Sequence, residues 1–435
     1  MPILRALLGI AFFCGVAWLL SSHKKRINLR VVAGGIALQF GLALIILKTD
    51  AGRAVLNALS AFATTVLSFG EEGARMVFGA LLTGWNIVPV GPDAGEPMSF
   101  FTTEPTVPEG LAAYPAPVSF AFGALTTIIY FSALMAILYH LGIVQLLVKV
   151  LASAMRWTLR VSGAESLAMA ANVFVGQTEA PLVVRPYILS MTRSELMALM
   201  TGGFATIAGS VLAVYIGILG EDFAGHLLAA SFMSAPAAFV MAKIMVPETE
   251  TPATADGAKL VEDEENKPSN LLDAAAAGTS DGLMLYLNVV AMLIAFVALV
   301  GLVNAGLGLI TIGGEPLSLE GIFGYVFAPV AYMMGVAWED CANFGALLGQ
   351  KVAVNEFVAF AAMGEMRDSI SERSFTMAAY ALCGFANFAS VGIQIGGISS
   401  LAPGRRGDLS KLALKAMLGG AFASWMTATI AGAFL

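Results

Sequence analysis

The stretch Asn172-Val-Phe-Val-Gly-Gln-Thr-Glu-Ala-Pro-Leu-Val-Val-Arg-Pro-Tyr187 carries a row of polar side chains (Asn172, Gln177, Thr178 and Glu179) in a strongly apolar neighbourhood. Gly176 and Pro181 flank these polar residues, and both residue types interrupt a regular helix. A second stretch, Val352–Phe360, repeats the arrangement with an adjacent Asn and Glu. The sequence therefore predicts two interrupted helices that carry polar groups.

The composition indicates a polytopic membrane protein. Hydrophobic residues make up 58% of the 435 residues and charged residues only 12%, whereas soluble domains carry roughly 25% charged residues. The net charge of −7 belongs to one segment, because residues 247–281 contain nine acidic residues and two lysines. The rest of the chain is neutral, which argues against a nucleic-acid-binding surface.

Cysteine and histidine give no sign of a metal or haem site. The three cysteines and three histidines are widely scattered, without the spacing that such sites show. Each cysteine lies in an apolar run, which is typical of a small buried residue. A metalloenzyme is therefore disfavoured.

Apolar segments long enough to cross a bilayer recur along the chain. They are predicted at 2–20, 31–47, 120–141, 195–219, 225–246, 282–310, 321–336, 375–401 and 412–435. Residues 51–86 mix apolar and charged positions like an interfacial amphipathic helix, and a Pro- and Gly-rich loop follows at about 89–117. We expect an all-α polytopic membrane protein with about eight transmembrane helices, interfacial helices and two re-entrant hairpins, at 164–190 and around 340–365.

Basic residues mark the cytoplasmic side in this topology. The densest basic cluster, residues 23–26, follows the first span and places the N-terminus outside. Arg367 and Arg373 are exceptions, because the same topology places them outside. They are the main charge argument against it.

Two landmarks indicate an internal duplication. Gly-Phe-Ala triplets begin at Gly203 and Gly384, and the hairpin glutamates Glu179 and Glu356 have nearly the same separation. We interpret the two halves as inverted repeats. Broken helices at corresponding positions of inverted halves point to a midplane substrate site in a secondary transporter.

The chain then divides into four parts. Residues 1–117 form N-terminal spans and an interfacial helix on the scaffold side, and residues 118–246 form the first repeat. Residues 247–281 form an acidic cytoplasmic linker, expected to be solvated and mobile, with no ligand role. Residues 282–435 form the second repeat and the C-terminal span.

Glu179 and Glu356 are the strongest candidates for chemistry. A charged side chain at the bilayer centre costs about 2.5–3.5 kcal/mol and usually faces a cavity and a partner; the alternative is a carboxylate that backbone N–H groups satisfy at a helix start. Neutral donors and acceptors accompany them at Gln177, Thr178, Asn387 and Ser390. Only Arg185 is a nearby basic residue, so the set suits a neutral, polyhydroxyl solute better than an anion.

Oxygen atoms near the first hairpin are suited to a small hard cation. They belong to Asn172, the backbone around Val175, Thr206 and Ile207. The residues by themselves also leave open an intramembrane enzyme that uses the two glutamates as an acid/base pair, although no nucleophile motif supports it, and a passive channel.

Three stretches closely resemble the concentrative nucleoside transporter family. They are GQTEAPLVVRPY at 176–187, LLGQKVAVNEFVAF at 347–360 and YALCGFANFASVGIQIGG at 380–397. The similarity runs from the second span to the C-terminus, and the length resembles that of the bacterial eight-span members. Ala337 and Phe360 depart mildly from the family pattern, in which Pro and Tyr are frequent.

This resemblance implies a homotrimer with a central scaffold and a mobile transport domain that contains both hairpins. It implies nucleoside-binding roles for Gln177, Thr178, Glu179, Val211, Glu356, Phe385, Asn387 and Ser390. It implies a sodium site formed by Asn172, Val175, Thr206 and Ile207.

The expected function is sodium-coupled import of nucleosides of the uridine, cytidine and adenosine class across a bacterial inner membrane. The Thr-Glu-Ala-Pro form of the first hairpin resembles the sodium-coupled branch of the family. Proton coupling is the alternative, because proton-coupled members exist. We expect a transporter rather than an enzyme, in contact with lipid and not with nucleic acid.

Overall fold

A computed structural model of the chain describes residues 2–78, 84–89, 98–101, 111–115, 121–122, 124–259, 268–312 and 314–435. It is built mainly from helices, as the sequence predicts. Two apolar helices, α1 (Pro2–Leu19) and α2 (Leu29–Lys48), open the chain on either side of the basic loop. The predicted interfacial segment corresponds to α3 (Asp50–Phe78).

Short strands lie in and just before the region predicted as an irregular loop. Strand β1 (Gly84–Pro89) pairs antiparallel with both β2 (Met98–Phe101) and β3 (Leu111–Pro115). The strands contain aromatic and β-branched residues, which fit a pleated surface. Glycine and proline in the residues between them dominate the local composition and hide this signal.

The chain bends sharply just after the third predicted span. Helices α4 (Thr127–His140) and α5 (Ile143–Leu159) meet at 74°, and Gly142 between them has a φ of +77°. Helix α5 buries Val148 and Met155 on one side. It therefore leaves the direction of α4 instead of extending that span.

The first repeat contains a hairpin, a broken helix and a long helix. Helix α6 (Gly163–Asn172) ends at the polar stretch, and the chain returns through a 3₁₀ turn (Ala180–Val184) and α7 (Arg185–Ile188). Residues 163–188 are termed the first hairpin. The helices that follow are α8 (Arg193–Ala205), α9 (Gly209–Leu219) and α10 (Ala224–Met245).

Two helices precede the second hairpin. They are α11 (Leu271–Leu307) and α12 (Leu319–Met333). Between these helices, β4 (Thr311–Ile312) and β5 (Glu315–Pro316) form a minimal antiparallel pair. Helix α11 packs against α4 and exposes apolar side chains along much of its length.

The second repeat has the same order of elements as the first. Helices α13 (Cys341–Ala353) and α14 (Glu356–Glu365) form the second hairpin, with only two residues between them. The helices that follow are α15 (Glu372–Leu382), α16 (Phe388–Leu401) and α17 (Arg406–Phe434).

Few of the helices could cross a membrane unbroken. In the part of the chain that the structure describes, four are long and apolar enough: Leu29–Lys48, Glu221–Met245, Leu271–Leu307 and Pro403–Phe434. The other apolar segments are shorter or interrupted. Such irregular backbone at membrane depth requires protein or a polar cavity around it.

Two segments predicted as continuous spans are broken helices in the structure, so both predictions are wrong. The predicted span 195–219 is broken between α8 and α9, and the predicted span 375–401 is broken between α15 and α16. The breaks pack on each other, because Gly384 in the second break lies against the backbone of Phe204 and Ala205 at the first. The average hydrophobicity of a segment does not reveal such a break, because another segment, and not a polar side chain nearby in sequence, contacts its backbone groups.

Gly384 is expected to be essential for this contact. Its φ of +143° is unfavourable for other residues, and a methyl group there would lie 2.8 Å from the carbonyl oxygen of Phe204. We expect Gly384→Ala to lower the free energy of unfolding by about 1–3 kcal/mol. Thermal unfolding in detergent measures this, with Gly392→Ala as the control, since a methyl group at Gly392 meets no atom within 4 Å. Equal melting temperatures for both variants would contradict the prediction.

A third landmark of the duplication becomes clear from the packing of α10 and α17. The sequence Ala-Ser-Phe-Met-Ser-Ala at 230–235 recurs as Ala-Ser-Trp-Met-Thr-Ala at 423–428. These helices contact each other, and the hydroxyl of Ser234 donates to the hydroxyl of its counterpart Thr427 at 3.4 Å. Equivalent residues of the two repeats therefore meet where the repeats join.

The acidic linker differs from its prediction as a mobile segment over 247–281. Two backbone N–H groups at the start of α6 donate to the carbonyl and hydroxyl oxygens of Thr254, at 2.9 and 3.1 Å. The linker also ends early, because α11 begins at Leu271, with Asn270 as its N-cap. Residues 260–267 lie outside the described part. The first N–H groups of a helix have no partner within the helix. Those of α6 therefore bind Thr254 and fix this part of the linker.

Arg367 and Arg373 have structural partners. Arg367 donates to the carbonyl oxygen of Leu219 at 3.1 Å. Arg373 donates to the carbonyl oxygens of Gly335 at 2.9 Å and Gly432 at 2.6 Å. All three carbonyls lie at or just beyond the C-terminal ends of helices, where cations are favourable. The two arginines therefore join helix ends, which accounts for their departure from the charge pattern.

Candidate functional site

A cavity of about 380 Å³ lies between the tips of the two hairpins and the broken helices. All eight predicted substrate-binding residues line it: Gln177, Thr178, Glu179, Val211, Glu356, Phe385, Asn387 and Ser390. Helix α11 closes one side with Leu285, Val289 and Met292. Two polar segments that are distant in sequence thus face one mostly apolar space.

Glu356 lies at the start of α14, where the second hairpin is interrupted. Its side chain is buried and accepts hydrogen bonds from Asn387 Nδ2 at 2.7 Å and from the Tyr215 hydroxyl at 3.3 Å. The N-terminal end of a helix also favours a negative charge. Burial and directed donors hold this carboxylate in one position at the cavity wall.

Glu179 has a different environment, although it occupies the matching place in the first hairpin. Its side chain is exposed to the cavity, and a methyl group on Gly176 would clash with its Oε2. The carboxylate therefore lies over its own hairpin tip, and glycine at 176 makes room for it. Of the two glutamates, Glu356 is anchored and Glu179 is the more accessible.

An amide chain links the first hairpin to α16. Gln177 Nε2 donates to the Ser390 hydroxyl at 3.1 Å, and Gln394 Nε2 donates to Gln177 Oε1 at 3.0 Å. Gln394 also donates to the carbonyl oxygen of Met200 at 3.1 Å. Asn387 Oδ1 is used as the N-cap of α16. Part of the predicted ligand-binding capacity therefore organises the site itself.

Three residues at the site were missed by the sequence interpretation. Gln394 lies one turn after Ser390, and Tyr215 lies one turn after Val211, so helical spacing could have identified both. Asn288 of α11 also lines the cavity. A polar residue in the middle of a very apolar helix was the available signal for Asn288.

The predicted cation-binding residues lie where the first hairpin meets the break after α8. Asn172 ends α6, and Thr206 is the C-cap of α8. The Asn172 amide packs over Gly202, on the last turn of α8. Its Oδ1 is buried, and no donor among the described residues reaches it. A buried acceptor without a donor is costly, and a small cation would satisfy it.

The cavity is suited to binding a neutral polar molecule. Its walls are mostly apolar, and most of the amides, hydroxyls and carboxylates come from the two hairpins and the second broken helix. No Lys, Arg or His is among the described residues that line it, and Arg185, at the start of α7, is not one of them. Ligand sites of this kind use apolar walls for affinity and a few polar groups for orientation.

Family models match most of the chain. Residues 8–81 match the model of the Na+ dependent nucleoside transporter N-terminus, and residues 226–432 match that of its C-terminus. Residues 121–222 match a model described as nucleoside recognition. The chain belongs to the Na+ dependent nucleoside transporter family. It is therefore a membrane transporter rather than an enzyme.

Relatives cover the full length of the chain. It is 42% identical over 446 residues to an uncharacterized transporter of Haemophilus influenzae, covering 100% of this chain and 98% of the relative. It is 38% identical over 443 residues to the sodium/nucleoside cotransporter 1 of Rattus norvegicus, covering 98% of this chain and 62% of that longer protein.

Solved structures agree in fold. The structure of CNTnw in an inward-facing substrate-bound state is similar with a TM-score of 0.87 and 39% identity, covering 100% of this chain and 99% of CNTnw. A CNTnw variant in an intermediate state is similar with a TM-score of 0.88 and 39% identity, covering 100% and 99% of the two chains. The expected fold class, with inverted repeats and two re-entrant hairpins, is confirmed.

Gln394 is expected to position Gln177 in this family's cavity. We expect Gln394→Leu to raise the KM for nucleoside uptake about tenfold, because the buried side-chain oxygen of Gln177 loses the donor that positions it. The maximal rate should change less. Gln39→Leu is the matched control, since Gln39 is a buried glutamine of α2 whose amide has no partner among the described residues. A KM equal to that of the control would contradict the prediction.

Proposed function

We propose that this nucleoside transporter is a sodium-coupled symporter that imports nucleosides. The observation that carries the proposal is the proximity of two features in the first hairpin. The unpaired amide oxygen of Asn172 precedes by a few residues the polar groups of Gln177, Thr178 and Glu179. An ion bound at the Asn172 oxygen would order these polar groups.

The nucleoside would lie between the two hairpin tips. Gln177, Thr178 and Glu179 would bind it from the first hairpin and Glu356 from the second. The site would be completed by Val211, Phe385, Asn387 and Ser390, which also line the cavity. Amides and carboxylates provide donors and acceptors for a base and a ribose, and the apolar walls suit the faces of a flat ring.

Sodium would bind through oxygens of Asn172, Val175, Thr206 and Ile207. Such uncharged oxygen ligands suit a hard monovalent cation. Because the same hairpin carries ion and nucleoside ligands, each would raise the affinity for the other by the same factor, typically 5–150-fold. This reciprocity couples the inward sodium gradient to nucleoside accumulation.

Transport would proceed by movement of the two hairpins and broken helices against a scaffold. In this proposal residues 1–117 belong to the scaffold, and the repeats at 118–246 and 282–435 supply the transport domain. In the proposed homotrimer, neighbouring subunits or lipid would cover the exposed apolar length of α11. The location would be a bacterial inner membrane.

Uptake by purified protein in liposomes tests the proposal. Labelled uridine should accumulate with an inward sodium gradient, and not with an equal choline gradient. Collapse of the sodium gradient by an ionophore should abolish accumulation. Equal uptake driven by a proton gradient alone would establish H⁺ as the coupling ion, and flux that does not saturate would indicate a channel.

A further inference from the structure

Lys351 is a fully buried cation in the second hairpin. It lies near the end of α13 and has no exposed surface. Its Nζ donates to the carbonyl oxygen of Ala381 and to the hydroxyl of Ser424, both at 2.7 Å. Among the described residues, no carboxylate lies within ion-pair distance of this ammonium. Glu356 of the same hairpin interacts with Lys351 electrostatically but forms no direct ion pair with it, so the direct partners of the buried charge are neutral oxygens.

The ammonium lies at the break of the second broken helix. Ala381 is in the last turn of α15, where carbonyl groups lack helical partners and the helix dipole favours a cation. In the first repeat, Asn172 near the end of α6 packs beside the last turn of α8. The hairpin helix α13 corresponds to α6, and α15 corresponds to α8. Lys351 and the proposed cation site therefore occupy equivalent places.

The last helix of each repeat, α10 or α17, supports the same equivalence. Ser231 of α10 and Ser424 of α17 are counterparts in the Ala-Ser-aromatic-Met motif. The Ser231 hydroxyl donates to the carbonyl oxygen of Val173, in the first hairpin, at 3.2 Å. The Ser424 hydroxyl accepts from Lys351, in the second hairpin. Each hairpin thus contacts the equivalent serine, and the second does so through a cation.

We propose that Lys351 is a tethered cation that fills, in the second repeat, the place that the coupling ion takes in the first. The first hairpin must bind a free ion to satisfy the oxygens at its broken helix, whereas the second hairpin carries its positive charge covalently. The packing of the first hairpin on its broken helix therefore depends on a bound ion. The second hairpin packs on α15 and α17 through Lys351 without one. This positioning role rests on the proposed sodium coupling.

Lys351→Gln tests the idea, because it removes the charge and leaves an amide oxygen such as Asn172 provides in the first repeat. We expect nucleoside uptake to fall about tenfold or more at the sodium concentration that saturates the wild-type protein. High sodium should restore part of it, with a Hill coefficient above the wild-type value because two sites then need ions. The melting temperature should rise more steeply with sodium concentration than in the wild type.

Three further variants separate charge from packing. The increase in melting temperature with sodium concentration is termed the sodium slope. Lys351→Arg keeps a cation and should retain the wild-type sodium slope. Lys243→Gln is the matched control, since Lys243 is a buried lysine paired with Glu165 at 2.6 Å, away from both breaks. It should lower stability without altering the sodium slope. The converse variant Asn172→Lys places a tethered cation in the first repeat and should make uridine stabilise the purified protein without sodium.

Two results would overturn the inference. One is a sodium slope in Lys351→Gln equal to that of the wild type and of Lys243→Gln. The other, decisive if Lys351→Gln does not fold, is nucleoside binding by Asn172→Lys that still requires sodium. Sodium-independent uptake by the wild-type protein would instead refute the proposed sodium coupling, so the two failures are distinguishable.

Discussion

Glu356→Gln is expected to reduce nucleoside uptake about 100-fold or more. The buried carboxylate accepts hydrogen bonds from Asn387 and Tyr215, and hydrogen bonds to a charged group contribute about 1.5–3 kcal/mol each. Glutamine keeps the shape of the side chain but replaces one acceptor oxygen with a donor. That donor would face the donor group of Asn387 or Tyr215, so a hydrogen bond that positions the wall of the cavity would be lost.

Glu365→Gln is the matched control for this variant. Glu365 is the last residue of the same helix, α14, and its side chain is exposed. Uridine uptake in proteoliposomes, normalised to the amount of folded protein, measures both variants. Glu356→Gln with more than a tenth of wild-type uptake would remove Glu356 from the binding site.

Asn172→Ala is expected to raise the sodium concentration for half-maximal uptake about 10–100-fold. The substitution removes a buried oxygen that has no donor among the described residues, and a lost interaction with a charged group costs about 1.5–3 kcal/mol. The apparent nucleoside affinity should fall at low sodium and recover at high sodium, because the two ligands are coupled through one hairpin.

Thr201→Val provides the control for Asn172→Ala. The Thr201 hydroxyl is also buried on α8 without a hydrogen-bond partner among the described residues, but it precedes the break by more than a turn. Its loss should leave the sodium dependence unchanged. If both variants shift the sodium dependence equally, the effect arises from general loosening of α8 and not from an ion ligand.

The amino-acid sequence predicted the class of the protein and most of the cavity. Charged residues are scarce, so Gly176–Glu179 and Glu356 stand out against an apolar background. Their cost in a membrane requires a compensating environment, and this physical demand is visible without coordinates. The eight cavity residues were predicted on this basis together with the family resemblance, and the structure brings all of them together.

Interruptions within an apolar segment were less predictable. The first break, at Thr206–Ala208, and the second, at Cys383–Asn387, contain few polar side chains. Their backbone groups are satisfied by contacts between the two repeats, as at Gly384 against Phe204. Hydrophobicity along the chain is a local quantity and does not report such contacts.

Composition and local pattern determined by themselves that this chain is a mainly helical membrane protein with two polar hairpins in inverted repeats. Only the tertiary structure decided which polar groups pair, as in the bonds from Gln394 to Gln177 and from Lys351 to Ser424. The physical reason is that burial costs depend on residue type, whereas compensation depends on atoms that are distant in sequence. The need for a partner is therefore visible in the sequence, and the identity of the partner is a property of the fold.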